Sequence, residues 1–132
     1  ATAFPESGVD VMMGIGGAPE GVLAAAALKA LGGEIQGRLA PKTEEEVARA
    51  QKMGLSDINK LLDMDDFVKG EDVIFVASGI TDSSLLKGVV MTNTGAVTHS
   101  VIIRGKTGTI RFIEAIHSFE KKPQWKKIAE TL

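Results

Sequence analysis

Eight residues carry most of the chemistry in this chain: Gly14-Ile15-Gly16-Gly17-Ala18-Pro19-Glu20-Gly21. Their pattern is a glycine-rich turn running into a helix. Several backbone N–H groups converge at such a turn, with the positive helix end behind them, which makes an anion site. Glu20 narrows the choice of anion. A bare phosphate beside a carboxylate is repelled. A phosphate carrying a divalent cation is attracted, because the cation bridges both. On the residues alone, the turn reads as a metal-assisted phosphate site or simply as the start of a buried helix. A dinucleotide fingerprint is the rival. Gly14-x-Gly16 opens one, and Glu34 stands where an acid could bind ribose. But Pro19 occupies the third glycine position, and Glu20 would face the pyrophosphate.

Other chemistry-bearing residues fail on context. Gly105-Lys106-Thr107 imitates the end of a P-loop, but its first glycine falls at Ser100 and no helix follows. Ser84 to Lys87 with Lys106-Thr107-Gly108 imitates two penicillin-binding motifs, set too close together and without the S-D-N element. Asp63, Asp65 and Asp66 lack the Gly and terminal Glu of a calcium loop and read as a solvated turn. His99 and His117 stand apart, each read as a structural histidine. Lys121, Lys122, Lys126 and Lys127 surround Trp125, as on a solvated terminal helix with one docked aromatic. No Ser-His-Asp or Cys-His set can be assembled. The chain by itself also lacks the acid cluster of metal-dependent hydrolysis.

The elements that position these residues can be read from pattern. Val9 to Met13 is a short apolar run ending in Gly, expected to be a strand entering the turn. Pro19 and Glu20 suit a first helical turn. Val22 to Leu31 is Ala-rich with only Lys29 charged, so a helix buried on nearly all sides is expected, ended by Gly32-Gly33. Glu34 to Ala40 reads as a strand broken by Gly37. Thr43 to Glu46 forms a capping box for a helix that stops at Gly54. A short helical turn is expected near Asp65 to Lys69. Asp72 to Ala77 reads as a buried strand, and Thr81-Asp82 as the cap of a short helix through Leu86. Gly88 to Thr92, Ala96 to Arg104 and Thr109 to His117 are further strands. The last places Ile110, Phe112 and Ile116 on one face, and Gly105 to Gly108 form the hairpin turn before it. Pro123 to Leu132 reads as a terminal helix. The sum is an α/β arrangement, a mixed sheet flanked by helices.

Composition bounds the partners. The 132 residues make one domain, with a formal charge of −2, which argues against a nucleic-acid surface. Acids are concentrated in residues 43–72 and bases in residues 99–132, in blocks too short to be tails. With no Cys, disulfides and thiolate metal sites are impossible, and with two His any metal must lean on carboxylates. Six aromatic residues make a stacked sugar site improbable, and thirty Ala and Gly point to a core of small and β-branched side chains. No stretch of apolar residues is long enough to span a membrane, and ATAFPESGVD does not read as a signal peptide, so a cytoplasmic protein is expected. The absence of an initiating Met fits either its removal or a chain cut from something longer.

Three blocks carry a resemblance: VDVMMGIGGAPEGVLAAAALKALGGEIQGRL at residues 9–39, VIFVASGITDSSLLKGV at 73–89 and IIRGKTGTIRFIEAIH at 102–117. In this order they resemble class II fructose-1,6-bisphosphatases, the bacterial type that often also hydrolyses sedoheptulose 1,7-bisphosphate. GIGGAPEG, within the first block, is highly specific. The resemblance implies the layered α/β sugar-phosphatase architecture shared with inositol phosphatases, with this chain as its C-terminal lobe. It implies a divalent cofactor, Mn²⁺ or Mg²⁺, with Glu20 as a metal ligand and Gly17 as a contact of the sugar phosphate. Family members are roughly twice this length or more. Their other metal carboxylates, and the basic groups that hold the second phosphate, lie in an N-terminal portion with no positions here. An isolated chain is therefore expected to be inert, and to pair either with the N-terminal portion or with another copy of itself. A nucleotide-binding Rossmann-like module and a non-catalytic structural lobe stay open as alternatives.

Overall fold

The computed structural model describes residues 2–122. The expected terminal helix over Pro123 to Leu132, with Trp125, lies outside them. The chain opens with a 3₁₀ turn at Pro5–Ser7 and then forms helix α1, Ala18–Leu31. Helix α2 is Glu44–Lys52 and α3 is a single turn, Met64–Phe67. Four strands follow: β1, Ile74–Ser78; β2, Val90–Thr92; β3, Gly95–Arg104; and β4, Thr109–Ser118.

The hairpin of β3 and β4 is the spine of the sheet. It pairs over its whole length, from Gly95 opposite Ser118 to Arg104 opposite Thr109. The other edge of β3 is shared: β1 pairs with residues 100–104 and β2 with residues 95–97. Every described pairing is antiparallel, so the mixed sheet expected from sequence is not formed. The reason lies in Val9 to Met13. A parallel pair would require that segment as a strand feeding α1, and it is not a strand here.

Opposed residues of an antiparallel pair share a face. Phe75 and Ala77 therefore lie beside Ile103 and Val101, on the face that takes Ala30 of α1 and Leu86 of the following loop. Ile74 and Val76 point to the other, uncovered face, so β1 is half-buried where a buried strand was expected. Small side chains allow close approach there: a methyl placed on Gly105 would meet Ala30 Cα at 3.2 Å. Helix α1 is less enclosed than its composition suggests. Only Ala25 and Ala30 are buried, while Val22 and Leu23 are exposed. An all-round apolar helix needs neighbours on all sides, and the described residues cover α1 only where it meets the sheet and α3, leaving Val22, Leu23 and Ala24 exposed.

Local hydrogen bonds account for the other departures. Glu34 to Ala40 makes only an isolated bridge, Gly37 with Leu62. Thr43 Oγ1 accepts from the Glu46 amide at 3.2 Å, but the Glu46 carboxylate reaches the Lys42 amide, not that of Thr43. The helix expected through Leu86 is replaced by a loop. Ser83 Oγ accepts from the Leu85 and Leu86 amides, and Asp82 Oδ1 accepts from the Gly88 amide at 2.8 Å, side-chain bonds that compete with helical ones. Asp63 caps α3 in a reciprocal box with Asp66.

Two ties join neighbouring elements. Lys29 Nζ donates to Asp65 Oδ1 at 2.7 Å and to the Val68 carbonyl at 2.8 Å, joining α1 to α3. Arg104 grips Asp72 through two hydrogen bonds, at 3.1 and 2.6 Å, across the end of β1 and β3. That pairing holds the Asp72 carboxyl below its ordinary range. The Lys60 ammonium does the same to Asp66.

Candidate functional site

Gly17 is the N-cap of α1, with φ −70° and ψ 150°, an extended conformation open to any residue. The Glu20 carboxylate folds back over the Gly17 backbone, and the end of that flexible, exposed side chain is all that a Cβ on Gly17 would meet. Pro19 and Glu20 fill the first turn, and the Gly21 amide closes it on the Gly17 carbonyl at 3.0 Å. No side chain caps this helix end, so its leading N–H groups are left for a ligand or solvent. The far end stops at Gly32, whose φ of 79° lies in the left-handed region. Phe67 of α3 lies 3.9 Å from where a Gly21 side chain would begin, so the first turn rests on an aromatic ring.

The two residues singled out from sequence, Gly17 and Glu20, are thus brought together. Both are exposed, and the Glu20 carboxylate forms no hydrogen bond or ion pair among the described residues. A free carboxylate beside open amides at a helix start fits one ligand of a phosphate-bound cation. It does not fit a complete metal site. Among the described residues no three His, Asp or Glu side chains converge to hold an ion. The dinucleotide alternative suits the geometry less well, because the described sheet that follows is wholly antiparallel.

The remaining polar clusters are elsewhere. Asp63, Asp65 and Asp66 serve the α3 cap and two lysine pairs, in keeping with a solvated turn. His117 bonds Thr98 Oγ1 through Nε2 at 2.9 Å and Lys122 Nζ through Nδ1 at 2.8 Å. His99 meets Glu114 Oε2 through Nε2 at 3.1 Å and the Gly88 carbonyl through Nδ1 at 3.4 Å. Both histidines have partners, as structural histidines do. The His99–Glu114 pair borders a shallow cavity of about 310 Å³ with Lys87 and Phe112, a grouping not singled out from sequence. Its signal was present: a turn centred between Lys106 and Thr107 places residue 99 opposite 114. No described helix is long and apolar enough to cross a membrane.

Comparison with known proteins converges on one group. Residues 1–117 match the family model described as bacterial fructose-1,6-bisphosphatase, glpX-encoded. The class 2 fructose-1,6-bisphosphatase of Haemophilus influenzae is 42% identical, over 86% of this chain and 38% of its own length. Fructose-1,6-bisphosphatase 1 class 2 of Escherichia coli K12 is 41% identical, over 92% of this chain and 40% of its own. The chain thus spans about two fifths of the length of these curated relatives.

Proposed function

Because this chain belongs to the family of bacterial, glpX-encoded fructose-1,6-bisphosphatases, we propose that it is the C-terminal lobe of such an enzyme, which hydrolyses the 1-phosphate of fructose 1,6-bisphosphate to fructose 6-phosphate and phosphate. The observation that carries this reading is the free Glu20 carboxylate folded over Gly17 at the open start of α1. Gly17 presents bare backbone, so a phosphate can approach closely where a side chain would obstruct it. The leading amides of α1 and the helix dipole favour the phosphate oxygens. Glu20 supplies one carboxylate ligand to a divalent cation, Mn²⁺ or Mg²⁺. Such a cation, when bound, neutralises phosphate charge and lowers the pKa of a bound water.

One carboxylate cannot hold a catalytic cluster. In this reading the other ligands, and the groups that hold the sugar and its second phosphate, belong to the part of the enzyme outside this chain. The 132 residues alone are then inert, and the complete protein is active. The test is phosphate release from fructose 1,6-bisphosphate with Mn²⁺ or Mg²⁺ added. The isolated chain should match a no-protein control, and the full-length protein should turn over. Turnover by the pure isolated chain, or none by the full-length protein, would falsify the reading.

A further inference from the structure

The segment that leads into the site has a strand's pattern and no partner. Val9, Val11, Met13 and Ile15 alternate with Asp10, Met12 and Gly14. An extended chain sends alternate side chains to opposite faces, so four apolar groups share one side. In the structure this segment is neither helix nor strand, and no described strand pairs with it. From Asp10 to Gly16, no backbone group enters a backbone hydrogen bond among the described residues. Its apolar side chains stand in solvent, Met13 at 91% and Ile15 at 94% exposure.

An apolar face beside a row of unpaired amides suits one kind of partner: an open sheet edge flanked by an apolar surface. The segment lies inside the family match, while the chain spans only about two fifths of its relatives' length. The occupant with the right provenance is therefore the remainder of the same enzyme. Resting on the reading of this chain as part of a longer phosphatase, we propose that residues 9–15 form a β-strand on a sheet edge supplied by that remainder, and that this pairing fixes the Gly17–Glu20 turn in place. The strand would end two residues before Gly17, so its register sets the direction from which α1 starts. Folding on docking couples assembly to the geometry of Glu20. In the chain alone the turn hangs on an unpaired segment.

Hydrogen exchange at the amides of residues 10–15 tests this, measured in the 132-residue chain and in the full-length enzyme that contains it. The chain alone should exchange freely at every dilution, and the full-length enzyme should slow the same amides at least about 100-fold. Val11→Pro removes an N–H and resists a central ladder. It should leave the melting of the isolated chain unchanged, yet abolish protection of the segment in the full-length protein. Three results overturn the proposal: protection already present in the dilute isolated chain, protection that rises with its concentration (a second copy as the occupant), or none in the full-length enzyme. Protection in a full-length protein that does not hydrolyse fructose 1,6-bisphosphate supports the strand and overturns the functional reading instead.

Discussion

Glu20 has two roles open to it, and they differ in size. A carboxylate in the first turn of a helix gains about 0.3–1 kcal/mol from the dipole, with no bearing on rate. A ligand to a catalytic metal governs turnover and contributes little to the metal-free fold. Glu20→Gln separates them, since it keeps the size and removes the charge. In the full-length enzyme we expect turnover to fall at least about 100-fold at ordinary metal concentration. Metal-free melting should move by no more than the dipole contribution. Near-normal turnover would return Glu20 to the dipole role. The juxtaposition of Gly17 and Glu20 was legible because its determinants are local: the two lie one helical turn apart, and Pro19 marks where the helix starts. His99 with Glu114 was legible in principle from the hairpin turn, but it required counting register across two strands. The further metal ligands that the proposed function requires have no positions in this chain to read.

Among the elements, those that form as expected carry their signals in the local sequence. The β3–β4 hairpin, α2 with its Thr43 cap and β1 carry their own turns, caps and apolar runs, and they appear within a residue or two of expectation. Residues 9–13 have strand chemistry without a strand, because a ladder needs a second chain segment that pattern alone cannot supply. Thr81 to Leu86 lost its helix to side-chain hydrogen bonds from Ser83 and Asp82. Helix α1 was misread for a related reason: alanine is apolar, but burial depends on what lies opposite. That makes a graded test along the helix. Ala25 is fully buried, and its neighbour Ala24 is exposed. Ala25→Leu should overpack the helix contact and cost about 1–3 kcal/mol. Ala24→Leu should be near neutral in the isolated chain. The check is a denaturant melt of both variants beside the parent. Equal midpoints for all three would mean that α1 is not packed as described.

The whole molecule exposes more surface than a finished domain of its mass. Its accessible area is 10108 Å² at 13.9 kDa, whereas a compact monomer of that mass exposes about 6,700 Å². The excess exceeds one partner's share of most obligate interfaces, which bury roughly 2,000–5,000 Å² counted over both partners. Part of it is apolar and borne by elements that are otherwise well formed. Ile74 and Val76 of β1 stand on the face of the sheet away from α1, and both are exposed. Phe112 and Ile116 of β4 continue the α1-covered face beyond the reach of that helix. Unfolding such a chain uncovers less new surface, and the urea m-value scales with the surface uncovered. An unfolded chain of this mass exposes about 20,000 Å², so folding here hides about three quarters of what a compact domain would hide. The isolated chain should therefore unfold in urea with an m-value about a quarter below that of compact two-state domains of equal length. The full-length enzyme should give a melting midpoint for these residues above that of the isolated chain, because docking stabilises the folded form by mass action. An m-value typical of a compact domain would mean that the chain covers its own surface in solution. The uncovered faces of β1 and β4 would then have no need of the rest of the enzyme.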